Sequence, residues 1–225
     1  MLDGDHYKEA YAILAAVGRR TGAPVQDARL LWAHSNTIFA LPSARLLVRI
    51  ATNPEALRCV TASLQVTRWL AARGFPCVVP ADVVDQPFLE RGRVISIWCY
   101  LPTVPEPPAS GSDLGRLLCS LHSQPPPPPV GRFVDPFVSV AEAVDEVPDA
   151  MVAHHRCWLA DRITELREAW YRMEFAREPG LIHGDAHTNN VMRTELGQVI
   201  LGDWDHVAVP REWDLAHASG QDWTS

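Results

Sequence analysis

The 225-residue sequence lacks several features that would place it in a broad class of protein. It has no apolar run of the roughly 20 residues that a membrane-spanning helix requires. Its first residues, MLDGDHYKE, lack the basic and then apolar order of a signal peptide. It also has no long run of like charge, since 20 basic and 27 acidic residues give a formal charge of −7. We therefore expect a soluble cytoplasmic protein that binds neither nucleic acid nor a membrane.

The sequence is also poor in cysteine, with five in all and no C-x-x-C pair. An odd number without such pairs predicts reduced and mostly buried thiols, and it argues against a disulfide framework or a cysteine-based zinc site. What the sequence does have is apolar residues, 47% of the total, with eight tryptophans. That supply is enough for one substantial core or two small lobes, and it excludes a disordered or fibrous protein.

The hydrophobic pattern predicts an α+β chain with two lobes. Residues 1–101 contain short β-branched and aliphatic runs together with two helical stretches, which is typical of an antiparallel sheet with packed helices. The elements predicted for this lobe are a helix over 5–20, strands over 28–34, 37–42 and 45–51, a helix over 54–73, a strand over 76–83, and a hairpin over 86–101 that turns at Arg91-Gly92-Arg93.

The composition changes after Leu101, where a proline-rich stretch cannot continue a central strand. We place the lobe boundary there. The second lobe, residues 102–225, is predicted to be mostly helical with one small hairpin. Its helices are predicted over 113–122, 136–147, 150–176 and 211–219. A bilobal chain of this kind leaves a cleft between its halves, where ligands commonly bind.

Polar residues that a fold alone would not require concentrate in residues 181–206, LIHGDAHTNNVMRTELGQVILGDWDH. Two apolar residues predict that the chain enters as a buried strand, and Gly184 permits a tight turn from which Asp185 emerges. Asn190 follows five residues later. The next two apolar runs predict a hairpin that brings Asp203 back to the start of its first arm.

Those polar residues supply the parts that phosphoryl transfer requires. The reaction needs a carboxylate that orients and deprotonates the acceptor hydroxyl, and oxygen ligands that hold magnesium against the nucleotide phosphates. In the catalytic loop of protein kinases the Asp and the Asn are separated by four residues, and a metal-binding Asp follows. Asp185, Asn190 and Asp203 repeat this spacing and order.

Three motif blocks together resemble the aminoglycoside phosphotransferase and choline kinase-like family. They are HGDAH at 183–187 with Asn190, GDWD at 202–205, and WDLA at 213–216. The resemblance implies a bilobal protein-kinase-like fold, ATP or GTP and Mg²⁺ as cofactors, and transfer of the γ-phosphoryl group to a hydroxyl of a small molecule. An aminoglycoside-like antibiotic or an amino alcohol would be the acceptor, and an antibiotic acceptor would imply antibiotic resistance.

The resemblance also implies a role for each of the matching residues in the second lobe. Asp185 is the catalytic base, Asn190 and Asp203 hold magnesium, and Asp205 is a second acid near the metal. Asp214 is structural. Only nine residues follow Ala216, whereas relatives continue with further helices. We therefore expect a C-terminally truncated member of the family, whose acceptor pocket lacks a part or takes it from the helices at 136–176.

The first lobe departs from the family pattern. Arg49 stands where relatives carry a lysine for the α- and β-phosphates, and arginine can bind phosphate through its planar fork. The expected glutamate partner would fall near Ser63 or Gln65, and neither is acidic. Ser35 lies between two strands, at the place of the phosphate-covering loop. If residues 95–102 are the hinge strand, the adenine would meet the backbone groups of Trp98, Cys99 and Tyr100.

Two other functions remain open from the sequence. One is a non-catalytic kinase-like protein that binds nucleotide or regulates a partner, because the lysine–glutamate pair is lost. The other is a metal-dependent hydrolase, since His183 and His187 have the i, i+4 spacing of a zinc motif and could combine with Asp203, Asp205 or His206. A glycine and an aspartate between the two histidines argue against the continuous helix that such a motif requires. In the kinase-like interpretation both histidines hold the loop through bonds to backbone or carboxylate.

Overall fold

The computed structural model describes residues 4–33, 36–51, 53, 56–125, 137–146, 151–176, 180–204 and 211–219. Over these residues the predicted α+β class is confirmed. A five-stranded antiparallel sheet comes first, and a mostly helical part with a three-stranded sheet follows it. No helix in the described ranges is long and apolar enough to cross a membrane.

The first sheet has the strand order β1-β2-β3-β5-β4. Its strands are β1 (Arg29–Ala33), β2 (Asn36–Leu41), β3 (Leu46–Ala51), β4 (Phe88–Glu90) and β5 (Arg93–Cys99). The predicted hairpin between the last two is confirmed: Arg91 and Gly92 have φ angles of 51° and 75°, the left-handed pair that a two-residue hairpin turn favours. Strand β3 lies at the centre, so its residues have strands on both sides.

Two helices cover opposite faces of this sheet. Helix α1 (Gly4–Thr21) packs the apolar stripe Ala10, Ile13, Leu14 and Val17 against one face. Helix α2 (Leu57–Ala71) packs Val60 and Leu64 against the other. Both helices are confirmed, although Pro54 and Glu55, at the predicted start of α2, lie outside the described residues. Because side chains alternate along a strand, odd-numbered residues of β3 face α2.

The strand predicted over 76–83 is wrong. These residues form only two isolated bridges, Cys77 with Leu201 and Pro80 with Trp98. The proline nitrogens carry no hydrogen, so the segment cannot continue either ladder. It instead connects the two sheets, because Leu201 N–H donates to Pro76 O at 3.0 Å while Cys99 N–H donates to Val79 O at 2.8 Å.

The second part of the chain is mostly helical, as predicted. Its helices are α3 (Gly111–His122), α4 (Val138–Glu146), α5 (Ala153–Arg172) and α6 (Glu212–Ser219). Its sheet has the order β6-β7-β8, with β6 (Thr103–Val104), β7 (Val191–Thr194) and β8 (Val199–Leu201). The chain thus passes from the first sheet to the second between Cys99 and Thr103. Helix α3 begins with a capping box between Ser110 and Asp113 and packs its leucines into the core.

The prediction that the thiols are mostly buried is wrong. All five cysteines are free, but Cys59, Cys119 and Cys157 lie on exposed helix positions. Only Cys77 is buried, and that burial raises the pKa of its thiol to about 12. Apolar periodicity predicts that an element is a helix, but a small polarisable residue such as cysteine can stand on either of its faces.

Candidate active site

The loop that follows the buried residues Leu181 and Ile182 presents Asp185 at the surface. Gly184 has a φ angle of 88°, in the left-handed region that glycine adopts without strain, and it turns the chain sharply. The Asp185 side chain that follows is 39% exposed. The short 3₁₀ turn Thr188–Asn190 then leads into β7. The local sequence therefore places a half-exposed carboxylate at the end of a buried segment.

Asp214 holds this loop from helix α6. Its side chain is fully buried and accepts three hydrogen bonds. Oδ2 accepts from His183 N–H at 2.9 Å and pairs with His122 Nε2 at 2.9 Å, while Oδ1 accepts from Gly184 N–H at 2.8 Å. The indole N–H of Trp213 donates to Gly184 O at 2.9 Å. This geometry agrees with the structural role that the resemblance implies for Asp214.

The sequence did not predict that His122 and Trp213 contact Asp214 and the loop at residues 183–185. His122 is the last residue of α3 and Trp213 lies in α6, so both reach it from other parts of the chain. The one available signal was that Trp213 belongs to WDLA, one of the three motif blocks of the resemblance. Sequence spacing alone could not show which buried carboxylate His122 would meet.

Asp185 and Asn190 are in direct contact. The Asn190 side-chain N–H donates to Asp185 O at 2.9 Å and lies 3.3 Å from Asp185 Oδ2. His187 Nε2 lies 3.3 Å from the same carboxylate oxygen and 3.2 Å from Asn190 Nδ2. Because the amide nitrogen is bonded to the loop, the amide oxygen of Asn190 is directed away from that bond and can act as a ligand.

The β7–β8 hairpin brings Asp203 beside Asn190. Gly202 N–H donates to Asn190 O at 2.8 Å, one step beyond the pair Val191 and Leu201. Asp203 comes next, with a φ angle of 54°. A left-handed residue other than glycine is uncommon and is found more often at functional sites. Its side chain is 53% exposed, so its oxygens are accessible from solvent.

These oxygens fit a magnesium ion. An amide oxygen and a half-exposed carboxylate are hard ligands that leave room for water and phosphate, as Mg²⁺ prefers. Asp205, which the resemblance also places near the metal, lies outside the described residues, as does Ser35. In the described part of the chain, no three His, Cys, Asp or Glu side chains are grouped closely enough to hold a metal ion by themselves.

His183 is not arranged as a zinc ligand. Its ring is buried, Nε2 lies 2.7 Å from Gly202 O, and Nδ1 accepts from Asp185 N–H at 3.4 Å. The hydrogen is therefore on Nε2, and both ring nitrogens are used within the chain. Burial lowers the pKa of His183, so the ring is neutral. The ring also contacts Trp204 edge-on, at 4.8 Å between centroids. This arrangement argues against the metal-dependent hydrolase.

Arg49 reaches the same site from the first sheet. It lies on the α2 side of β3 and is 8% exposed. Its guanidinium Nη2 lies 3.9 Å from Asp203 Oδ1, across the boundary between the two sheets. On α2, a glutamate was expected near buried Ser63 or exposed Gln65, and neither residue is acidic. The sequence contains a single lysine, Lys8, and it lies in α1.

Trp98, Cys99 and Tyr100, which the resemblance places at the adenine, are held by backbone bonds to the first part of the chain. Cys99 N–H donates to Val79 O at 2.8 Å, and Tyr100 N–H donates to Arg45 O at 2.9 Å. Trp98 is paired with Leu47 of β3. An adenine cannot take a hydrogen bond from the Cys99 or Tyr100 N–H without displacing a bond within the chain.

Solved structures assign this fold to the kinase-like class. Amicoumacin kinase, in complex with AMP-PNP and Ca²⁺, is similar with a TM-score of 0.68, at 14% identity over 96% of this chain and 70% of that chain. A choline kinase of Streptococcus pneumoniae has a TM-score of 0.64, at 14% identity over 94% and 75% of the two chains. An aminoglycoside phosphotransferase of Streptomyces rimosus has a TM-score of 0.59, at 15% identity over 100% and 86%.

The amino-acid sequence assigns the chain to a particular family within this fold class. It matches the Phosphotransferase enzyme family over residues 27–225, which leaves only α1 and the turn after it outside the match. The chain belongs to this family, and the resemblance stated from its three motif blocks is confirmed. No curated protein sequence is significantly similar to the chain.

Proposed function

We propose that the chain is a small-molecule kinase that transfers the γ-phosphoryl group of ATP or GTP to a hydroxyl group. One observation carries the proposal: the hairpin bond from Gly202 to Asn190 places Asp203 beside the loop that presents Asp185. A base, an amide oxygen and a second carboxylate thereby meet at one end of the second sheet. Family membership supports phosphoryl transfer as the reaction.

Each residue has a defined part in the proposed mechanism. Asp185 orients the acceptor hydroxyl and takes its proton, while Asn190 and Asp203 would hold Mg²⁺. The metal, when bound, neutralises the charge of the nucleotide phosphates. Arg49 stabilises the charge that develops on the transferred group. Three further roles rest on the resemblance alone. They are Asp205 as a further metal ligand, Ser35 as a phosphate contact, and the backbone of residues 98–100 as the adenine site.

The acceptor is proposed at the level of its class. Relatives with this fold include an amicoumacin kinase, an aminoglycoside phosphotransferase and a choline kinase. We propose an acceptor of the same kinds, an aminoglycoside-like antibiotic or an amino alcohol. We also propose a cytoplasmic location, where ATP and magnesium are available. We further propose that the boundary between the two lobes lies after Leu101.

A second candidate is a kinase-like protein that binds nucleotide without transferring phosphate or that regulates a partner. The observation that favours it lies in the first sheet and α2: Arg49 stands where the resemblance implies a lysine, and neither buried Ser63 nor Gln65 is the glutamate expected near them. The retained Asp185, Asn190 and Asp203 favour the kinase, because binding alone does not require a base at Asp185.

Thermal unfolding tests the nucleotide site. We expect ATP or GTP with magnesium, at about a hundred times the dissociation constant, to stabilise the chain by about 2.7 kcal/mol, a shift of at least about 5 °C. Asp203→Asn should abolish the shift. Asp161→Asn, an exposed change of the same chemistry on α5, should leave it intact. The absence of a shift with either nucleotide would contradict the kinase and favour a regulatory protein, and a shift without turnover on any acceptor would favour a protein that only binds nucleotide.

A further inference from the structure

His187 contacts the proposed base and is not assigned a part in the reaction above. Its Nε2 lies 3.3 Å from Asp185 Oδ2, and its side chain is 25% exposed. Asn190 Nδ2 lies 3.3 Å from the same oxygen. Oδ2 thus faces two nitrogen atoms, whereas Oδ1 of Asp185 makes no hydrogen bond within the described part of the chain.

The position of the hydrogen on His187 follows from its two ring nitrogens. An ionised carboxylate only accepts hydrogen bonds, so Nε2 attracts Oδ2 only if it carries a hydrogen. The other nitrogen, Nδ1, is buried and has no hydrogen-bond partner among the described residues. A hydrogen at Nδ1 would be a buried donor without an acceptor, which costs more than a bare lone pair there. Asn190 Nδ2 also lies 3.2 Å from Nε2, but its two hydrogens have acceptors in Asp185 O at 2.9 Å and Asp185 Oδ2 at 3.3 Å. The unpartnered Nδ1 therefore decides for the Nε2–H form.

We propose that His187 is a positioning residue that donates its Nε2–H to Asp185 Oδ2. Together with Asn190 it fixes that oxygen, and it leaves Oδ1 as the atom that receives the acceptor proton. In the reaction the acceptor oxygen forms a bond to the γ-phosphorus, the bond to the bridging oxygen breaks, and the nucleoside diphosphate leaves. The proton of the acceptor hydroxyl passes to Oδ1 and then to solvent. This inference rests on the proposed function for its consequence, though not for its geometry.

The geometry is tested without nucleotide by the imidazole ¹⁵N spectrum of the whole chain labelled at its nine histidines. The His187 signals are those missing in His187→Gln. We expect them to show a protonated Nε2 and a bare Nδ1, and we expect Asp185→Ala to shift them. A hydrogen on Nδ1, or signals that Asp185→Ala leaves unchanged, would overturn the proposal.

The consequence is tested by the release of phosphate from MgATP, with water as the acceptor. A hydrogen bond to a charged group supports about a tenfold effect, so His187→Ala should lower kcat about tenfold and leave KM for ATP within about twofold. His187→Gln keeps a donor at the same distance and should restore most of kcat. His155→Ala, an exposed change on α5, is the matched control and should alter neither constant.

The variants separate positioning from folding. If His187→Gln loses as much kcat as His187→Ala while both unfold at the temperature of the unsubstituted chain, the donated hydrogen has no part in turnover and the proposal is wrong. An unsubstituted chain that neither binds nor hydrolyses ATP or GTP overturns the proposed function instead, and the imidazole spectrum still decides whether His187 donates to Asp185.

Discussion

Asp214 joins three separate segments, which are helix α6, helix α3 and the loop at residues 183–185. It lies in α6, yet its two oxygens meet the backbone of residues 183–184 and the imidazole of His122. A buried carboxylate is stable only when its hydrogen-bonding capacity is satisfied, and here the fold supplies all three donors. The loop conformation and the packing of α3 against α6 are therefore coupled through one side chain.

We predict that Asp214→Asn destabilises the chain by at least about 2 kcal/mol. Hydrogen bonds to a charged group contribute about 1.5–3 kcal/mol each, and the amide N–H groups of the new asparagine would face donors of the loop or of His122 instead of accepting from them. Urea unfolding measures the change. Asp161→Asn, exposed on α5, should change the free energy of unfolding by less than about 0.5 kcal/mol. Equal stability of the two variants would show that the buried bonds do not contribute as described.

Arg49 stands where the resemblance implies a lysine, and the composition of the chain bears on this difference. Of the 20 basic residues only Lys8 is a lysine, so arginine stands at nearly every basic position of the chain. The replacement is thus no evidence by itself that phosphate binding has been lost. The guanidinium still lies within 3.9 Å of Asp203, at the proposed metal site.

We predict that Arg49→Met weakens binding of magnesium–ATP about tenfold or more, since it removes the charge that would meet the phosphates. Arg49→Lys keeps the charge without the planar fork and should weaken binding less. Titration calorimetry measures both. Arg156→Met, on α5, serves as the control. Unchanged affinity in Arg49→Met would exclude Arg49 from the phosphate site.

At the scale of elements, the β7–β8 hairpin determines where Asp203 lies. Its turn ends at Gly197, which has a φ angle of 79°. The register that follows pairs Val191 with Leu201 and places residue 203 just beyond the last pair. A shift by one residue would move Asp203 to the opposite face of the hairpin, so the proposed metal site depends on the turn.

Two glycines allow this turn to be tested with a matched pair. A Cβ at Gly197 would meet no atom within 4 Å, so Gly197→Ala adds only backbone strain, which we expect to cost about 1 kcal/mol. Gly115 lies within α3, and its Cβ would also meet no atom. Gly115→Ala should stabilise the chain by about 0.5–1 kcal/mol, because alanine is the better helix former. The free energy of unfolding, measured in urea, should therefore fall in Gly197→Ala and rise in Gly115→Ala.

At the scale of the whole molecule, stability depends on pH through His183. Its burial lowers the pKa below the unperturbed value of 6.5, so the folded chain keeps the ring neutral where the unfolded chain binds a proton. The stabilising contribution is complete above about pH 6.5, and it falls as the pH decreases from there toward the folded pKa.

We predict that the free energy of unfolding falls between pH 7 and pH 5, by up to about 1.4 kcal/mol per pH unit from this one group. His183→Gln should be less stable at pH 7 and should show a flatter dependence. His155→Gln, on an exposed face, should keep the original slope. The free energy from urea unfolding at several pH values checks this, and equal slopes in all three proteins would contradict it.

The sequence predicted the elements whose signals are local. The Arg91-Gly92 hairpin, the helices and the turn before β8 follow from residue types a few positions apart. The spacing of Asp185 and Asn190 also lies within one loop. Residues 76–83 were wrongly predicted as a strand because an apolar extended segment has the same pattern whether or not its neighbours complete a ladder.

Contacts between distant parts of the chain could not be predicted. His122 and Asp214 are 92 positions apart, and the bond between them depends on how α3 packs against α6. The approach of Arg49 to Asp203 depends likewise on the placement of one sheet against the other. A single sequence contains the residues of such a pair, but it does not contain the distance between them.

Residues 76–79 connect the two sheets through backbone hydrogen bonds. They are bonded to β8 through Pro76 and to β5 through Val79, and a few residues away the chain itself crosses between the sheets from Cys99 to Thr103. Helix α2 strengthens this connection, because its buried Val66 and Leu70 belong to the same apolar cluster as the leucines of α3. A substitution that breaks the bonds of residues 76–79 would therefore disturb both sheets together, and with them the approach of Arg49 to Asp203.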